Sequence, residues 1–388
     1  MESGLYVHIP FCQTKCGYCD FYSVPLQGRQ TAPLVEQVIA ELDARLSTWA
    51  LPITTVFIGG GTPTLLPHDE LDLLLRTIRS GTARQPVCEW TVEANPATVD
   101  ARKAAILVEN GVTRVSMGAQ SFFERELAVL ERLHGPEDVQ PTVRLLRDAG
   151  LPSLNVDLIF GIPGQTLETW TESLARAIEL DTQHLSCYGL TYEPGTPLTA
   201  RLHRGDIAPC DESLEARMFE TTIEVLNRAG FEQYEISNFA RPGQQCRHNL
   251  LYWRNHPYLG IGPSAAGFDG SRRYKNVPNV DAYVRRMRDQ GHAEAESETI
   301  DERTLFTEMI MVQLRTHEGL SRRAVVDRLG FDPIERLATE LGAAAARGWL
   351  EVTESHVRLT AAGQLVANRV ILELIPARRE GIALPLAG

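Results

Sequence analysis

Three cysteines within eight positions, Cys12-Gln13-Thr14-Lys15-Cys16-Gly17-Tyr18-Cys19, carry the most specific chemistry in this sequence. Spaced four and three apart in a loop after the apolar run Leu5 to Ile9, three thiolates can wrap an iron–sulfur cubane and ligate three of its irons. A closed electron-transfer cluster takes four cysteine ligands, so three leave one iron open. A molecule with adjacent amino and carboxylate groups can chelate that iron. A structural zinc site usually wants four ligands in two close pairs. His8 would have to complete such a set, and the strand aims it away from the loop. Seven cysteines, an odd number, in a 388-residue chain with no secretion signal read as metal binding before disulfides. The scattered Cys88, Cys187, Cys210 and Cys246 are expected to be mostly buried thiols.

The elements that must position the loop form a repeated unit from residue 4 to about residue 190. Each unit is a short apolar run, a turn, an amphipathic stretch and a glycine. Strands are expected at Leu5 to Ile9, Thr55 to Ile58, Trp90 to Ala94, Arg114 to Gly118, Asn155 to Phe160 and His184 to Leu190. Leu34, Val38, Leu42 and Leu46 mark one helix face, and Leu167, Trp170, Leu174 and Ile178 another. Gly81, Gly111 and Gly150 stand where left-handed caps would end helices. Strands alternating with helices imply parallel pairing through crossovers. Six such units predict an α/β fold, a partial (β/α)6 TIM-like barrel with its site at the C-terminal strand ends.

Beyond Asp211 the rhythm changes. Ala216, Phe219, Ile223 and Leu226 line a helix that ends at Gly230. An irregular stretch rich in Asn, Arg, Pro and Gly follows from Tyr234 to Asn279, a length that is usually functional. From Thr304 come three helical patterns, a hairpin over Leu350 to Leu359 and a helix through Ile375. The expected division is a core over 1–235, an irregular segment packed on it over 236–300, and a small α+β winged-helix-like domain over 301–388. The last is read as a packing or partner-docking module.

A hydrophobic share of 43% supports real cores, and the 22 prolines and 23% charged residues are spread along the chain. A net charge of −12 would repel a phosphate backbone, so no nucleic-acid partner is expected. No apolar run reaches a membrane span, and Met1-Glu2-Ser3-Gly4 lacks the features of a signal peptide. The expected location is the cytoplasm.

Cys-x-x-x-Cys-x-x-Cys with an aromatic before the last cysteine resembles the radical S-adenosylmethionine (SAM) signature, placed after strand one as in that family. The run Gly59-Gly60-Gly61-Thr62-Pro63-Thr64 resembles the stretch that meets SAM's methionine amino group. Over essentially the whole chain the sequence is similar to the branch holding oxygen-independent coproporphyrinogen III oxidases and HemW haem chaperones. That resemblance also rests on Glu93 in Thr91-Val92-Glu93-Ala94-Asn95-Pro96, on Gln120 in Gly118-Ala119-Gln120-Ser121-Phe122, and on Asp157 in Val156-Asp157-Leu158-Ile159-Phe160-Gly161. It implies a radical-SAM-type barrel, a [4Fe–4S] cluster on Cys12, Cys16 and Cys19, and SAM contacts from Tyr6, Tyr18, Gly60, Gly61, Thr62, Glu93, Gln120, Arg132 and Asp157. Arg132, on the helix after strand four, has an equal claim to be a solvated surface arginine.

Within this branch, the oxidases carry a further cysteine where Phe21 stands, and a long arm before strand one. Here only Met1 to Gly4 precede it. His248-Asn249-Leu250-Leu251-Tyr252-Trp253 matches the chaperones' His-Asn-x-x-Tyr-Trp motif. The resemblance thus implies haem held by His248, Asn249, Tyr252 and Trp253. An imidazole suits haem iron and aromatic rings suit the porphyrin face, while Arg247 and Arg254 suit its propionates. Taken alone, His248 reads as a structural histidine and Tyr252 and Trp253 as core, and Cys246 and His256 are rival iron ligands. The function expected is haem transfer to respiratory haem proteins, with peripheral membrane association, no transmembrane segment and no catalytic residue. The alternative is radical decarboxylation of porphyrinogen propionates.

Overall fold

The computed structural model describes residues 2–83 and 86–375. Its centre is a twelve-stranded sheet in which the six expected strands appear in order: β1 (Ser3–Ile9), β2 (Ile53–Gly60), β3 (Glu89–Ala94), β4 (Arg114–Gln120), β5 (Ser153–Phe160) and β6 (His184–Gly189). Each pairs in parallel with its neighbour. The first five are followed by crossover helices α1 (Ala32–Thr48), α2 (His68–Gly81), α3 (Ala101–Glu109), α4 (Val139–Asp148) and α5 (Leu167–Glu179), and β6 by α6 (Glu212–Arg228).

Alternation along the strands gives the barrel two different faces. Leu5, Val7 and Ile9, then Val56 and Ile58, Val115 and Met117, and Val156 and Leu158 are buried in one apolar cluster with the crossover helices. The opposite face carries Tyr6, Phe57, Thr91, Glu93, Arg114, Ser116, Asn155, Asp157 and His184. The strand register sets Tyr6 beside Phe57, Glu93 beside Ser116, and Asn155 beside His184. A polar inner face that is largely withdrawn from water must satisfy itself. Asn155 Nδ2 accordingly donates to Ser116 Oγ at 2.7 Å and to Asp157 Oδ1 at 2.6 Å. The His184 ring bridges Asn155 and the Tyr234 hydroxyl at 2.5 and 2.8 Å.

The stretch from Tyr234 to Asn279 is not irregular. It supplies β7 (Asn238–Ala240), antiparallel to β6, and α7 (Arg247–Trp253). It also supplies β8 (Tyr258–Ile261), which joins the free edge of β1 in parallel, so the parallel run has seven strands. β9 (Ala266–Phe268), β10 (Arg272–Asn276) and β11 (Glu294–Thr299) extend that edge antiparallel. Strands this short give almost no periodic signal, and the glycines of β8 and β9 mark a close crossing. A Cβ on Gly260 would meet the Ala266 carbonyl oxygen at 1.8 Å.

Gly111 and Gly150 adopt the expected left-handed φ of 90° and 91°. Gly81 does not: it is the last residue of α2, and a Cβ there would lie 2.7 Å from Leu46 of α1. It permits helix contact instead of ending the helix. A second apolar cluster gathers Phe306, Met309, Ile310, Val325, Leu341, Leu350, Val357, Val370 and Leu374, with Phe268 of β9 reaching into it. Its strands Leu350–Val352 and His356–Leu359 are the expected hairpin, and Leu320–Ser321 adds a third. Residues 376–388 of the expected C-terminal domain lie outside the described residues.

One buried carboxylate ties the added edge to the barrel. Glu41 of α1 accepts from Tyr283 Oη at 2.7 Å, Gly262 N at 2.9 Å, Asn276 Nδ2 at 2.9 Å and Arg45 Nε at 2.8 Å. Glu41→Ala strands these donors, and urea denaturation should show a loss of about 3 kcal/mol or more. A change below about 0.5 kcal/mol, as at an ordinary surface site, would contradict that role.

Candidate functional site

The cysteine loop lies at the C-terminal end of β1, anchored by backbone. Phe11–Cys12 pairs with Val24–Pro25, and Leu26 N donates to Cys12 O at 2.8 Å. The glycine run after β2 holds the loop from the other side. Gly61 N donates to Ile9 O at 3.0 Å and Thr62 N to Phe11 O at 2.7 Å. A Cβ on Gly61 would stand 2.6 Å from the Phe11 carbonyl oxygen. Gly59 and Gly60 make room in the same way for the Glu93 carboxyl and the His8 ring. The run therefore seats the loop, and Gly60 N–H also donates to Glu93 Oε2 at 3.0 Å.

Burial pushes the Cys12 thiol up, with the Thr62 hydroxyl acting the other way, and pushes Cys19 up to about 11. Bare thiolates are thus disfavoured until positive charge arrives, so cluster binding would release protons. Arg132 supplies part of that charge and is not a solvated surface residue. Its guanidinium donates to Cys16 Sγ at 3.4 Å and to Gly118 O at 2.6 Å. His8 takes no part. Its ring nitrogens hydrogen-bond with the Tyr6 hydroxyl and the Tyr22 carbonyl, both at 2.9 Å. Among the described residues no three His, Cys, Asp or Glu side chains converge as tightly as a single metal ion requires.

The other expected SAM-side residues sit along the same barrel end. Gln120 ends β4 at a bulge with φ 65°, a strained conformation for a non-glycine residue. Gly118 makes room for it, since a Cβ there would fall 2.6 Å from Gln120 Nε2. Tyr18 packs against a small cluster of Leu130, Ile159, Ile162, Leu190 and Leu198. Burial raises Asp157, an effect opposed by hydrogen bonds from Ser186, Asn155 and Ser116. Burial first, and the Asp157 carboxylate second, push Glu93 up to about 8.

The motif helix α7 crosses the inner face at the opposite, N-terminal end of the strands. Glu89, at the start of β3, accepts from Arg247 N and His248 N, each at 2.9 Å, and from Cys246 Sγ at 3.4 Å. His248 is 0% exposed, between Thr55 Oγ1 and the Tyr252 hydroxyl, each at 2.8 Å. Cys246 is a buried neutral thiol, pushed up to about 12 by burial, and does not offer a thiolate. Arg254 is committed to Glu318 at 3.0 Å, whereas Arg247 is exposed. Trp253 has its indole nitrogen buried without a partner.

A cavity of about 260 Å³ brings residues from the two ends of the barrel to one space. It is lined by Tyr6, Gly60 and Glu93 from the SAM-side set, by Asn249 and Tyr252 from the motif, and by Phe21 and Phe57. His248, Trp253, Cys246 and His256 are not in its lining. Carboxylates beside glycine backbone suit an ammonium and hydroxyls, aromatic walls suit a flat ring, and three thiols beside an arginine suit a cluster with one iron open. Sequence reasoning missed Phe57, Arg114, Asn155 and His184. Their signal was strand alternation, which shows a polar inner face without saying which members meet a ligand.

Glu93 also carries a pH signature. Its folded value of about 8 lies above the ordinary 4.5, so its protonated form favours folding. That contribution is full below about pH 4.5 and is lost as pH rises to about 8. Glu93→Gln keeps an oxygen for the Gly60 N–H and cannot ionise. In urea titrations of the cluster-free protein it should gain on wild type between about pH 5 and 8, by up to a few kcal/mol. Parallel pH profiles for the two proteins would contradict this.

Comparison with known proteins agrees with the geometry. The Radical SAM superfamily model matches residues 6–177 and the HemN C-terminal domain model residues 300–366. Heme chaperone HemW of Bacillus subtilis is 34% identical, with 94% of this chain and 97% of that protein covered. Heme chaperone HemW of Escherichia coli K12 is 36% identical, with 95% and 97% covered. Among solved structures, coproporphyrinogen III oxidase (HemN) from Escherichia coli, a radical SAM enzyme, superposes with a TM-score of 0.82 over 96% of this chain and 90% of that one. At 22% identity that likeness shows the fold alone. A radical SAM barrel with a HemN-type C-terminal domain, matched nearly end to end by these relatives, makes this chain a member of the HemW family, within a superfamily whose cofactors are a [4Fe–4S] cluster and SAM.

Proposed function

We propose that this protein is a haem chaperone: it binds haem and passes it to haem-dependent respiratory proteins. The observation that carries the reading is the shared cavity, where Asn249 and Tyr252 of the chaperone-type motif face the same space as Tyr6, Gly60 and Glu93. The relatives named as heme chaperones support it across nearly the full chain.

When bound, the cluster and SAM supply an electron and a sulfonium whose carbon–sulfur bond that electron can break. The chain's residues hold and orient. Cys12, Cys16 and Cys19 ligate the cluster, with Arg132 balancing thiolate charge at Cys16. Glu93 and Asp157 accept hydrogen bonds from SAM's hydroxyls and ammonium. Tyr6, Tyr18, Gly60, Gly61, Thr62 and Gln120 shape the pocket around it.

At about 260 Å³ the cavity is below the usual range for enclosing an organic ligand, so the macrocycle docks at its mouth. Phe21, 69% exposed, offers an apolar face there, with Asn249 and Tyr252 facing the cavity behind it; Arg247, held beside Glu89 at the other end of the barrel, lies away from that mouth. We place the chaperone in the cytoplasm, meeting its acceptors at the membrane surface. Among the described residues no helix is long and apolar enough to cross a membrane.

The test is anaerobic. Protein with a reconstituted cluster should give a saturable haem absorbance band and leave coproporphyrinogen III unchanged when supplied with SAM and a reductant. Decarboxylated porphyrinogen in that mixture, with no haem band, would establish the oxidase reading instead.

A further inference from the structure

Resting on the haem-binding reading, we propose that the histidine of the motif never meets the ligand: His248 is a positioning residue, a buried strut between Thr55 and Tyr252. The motif then presents Asn249 and Tyr252 to haem, and any protein ligand to the iron comes from elsewhere.

Iron coordination needs a free imidazole lone pair and open space in front of it. Neither nitrogen of His248 has them. The Thr55 hydroxyl stands 2.8 Å from Nδ1 and the Tyr252 hydroxyl 2.8 Å from Nε2. Burial lowers the ring to about 3, so it is neutral, with one donor and one acceptor. Two hydroxyls, each able to donate or accept, match that inventory completely.

Packing closes the other approaches. A Cβ on Gly4 of β1 would lie 2.9 Å from His248 Cε1, so even a methyl group is excluded on that side. The Phe57 ring lies 5.3 Å away and the Tyr252 ring 4.9 Å away, edge-on. The backbone is fixed as well. Moving α7 itself to carry His248 outward would strip the Arg247 and His248 N–H groups from Glu89 and leave a buried carboxylate short of donors. Unmaking charge-assisted bonds of that kind is costly.

What reaches the cavity from this helix is Asn249 and Tyr252. Tyr252 is held from both sides, its hydroxyl by His248 and its ring edge-on against Tyr258 at 4.7 Å. His248 thus sets where the phenol points, and Thr55 sets His248.

Ferric haem titration of the full-length, cluster-reconstituted protein, followed by absorbance and EPR, tests this. His248→Gln retains an amide that can reach Tyr252 and has no imidazole. It should keep the wild-type iron spectrum and an affinity within about threefold. Free imidazole added to His248→Gly should restore nothing. Loss of the iron spectrum in His248→Gln, with imidazole restoring it in His248→Gly, would overturn the strut. Should His248→Gln fail to fold, Thr55→Val decides, because Thr55 stands one hydrogen bond behind the ring. An affinity about tenfold weaker with an unchanged iron spectrum supports the proposal, and wild-type affinity overturns it. If wild-type protein itself gives no haem band, the proposed function fails first, and this inference with it.

Discussion

The close approach of the Gly59–Gly61 run to the cysteine loop is the contact on which the site depends. Gly61 and Thr62 donate to the backbone of Ile9 and Phe11, and no side chain fits between them. Three thiols on a loop this short need a rigid seat, because a cluster ligated from one side gives no second strand to hold it. β1 and β2 provide that seat, and their crossover helices fix β1 and β2. The same glycines admit the Glu93 carboxyl and the His8 ring, so one backbone feature places the cysteine loop, the Glu93 carboxyl and part of the cavity lining together.

The second constraint is the polarity of the inner face. A sheet buried on both sides would normally be apolar on both. Here Asn155, His184 and Tyr234 form a hydrogen-bonded network beside the buried Arg114, and α7 closes the N-terminal end of the barrel on Glu89 and Thr55. Such a network stabilises a unique arrangement only when satisfied. Filling the bottom with polar groups leaves the top, beside the cysteines, as the open end. The motif helix is therefore part of the barrel's packing and also a wall of its cavity.

Much of this was legible in the sequence, for reasons that differ by element. β1 to β6 were readable because each apolar run is bounded by turns and followed by an amphipathic helix. Cys12, Cys16 and Cys19 stood out as candidate cluster ligands because spacing and ligand count restrict the chemistry, and the structure sets their loop at the C-terminal end of β1. β7 to β11 were not, since strands of three to six residues, two of them interrupted by a glycine, are too short to show a clear period. Gly81 misled because a helix-ending glycine and a helix-contact glycine look alike in sequence. Arg132 needed three dimensions, as its Cys16 partner lies 116 residues away. His248 shows the limit most clearly: its motif marks a helix at the site, and only the positions of Thr55 and Tyr252 reveal where its nitrogens go.

The central claim is that three thiolates hold a cubane whose remaining iron is free to take SAM. Metal and sulfide analysis of anaerobically prepared protein, with EPR of its reduced form before and after SAM, tests it most directly. The account predicts about four irons and about four sulfides per chain, and an EPR signal that changes when SAM is added. Zinc in place of iron and sulfide, or a cluster signal indifferent to SAM, would contradict it.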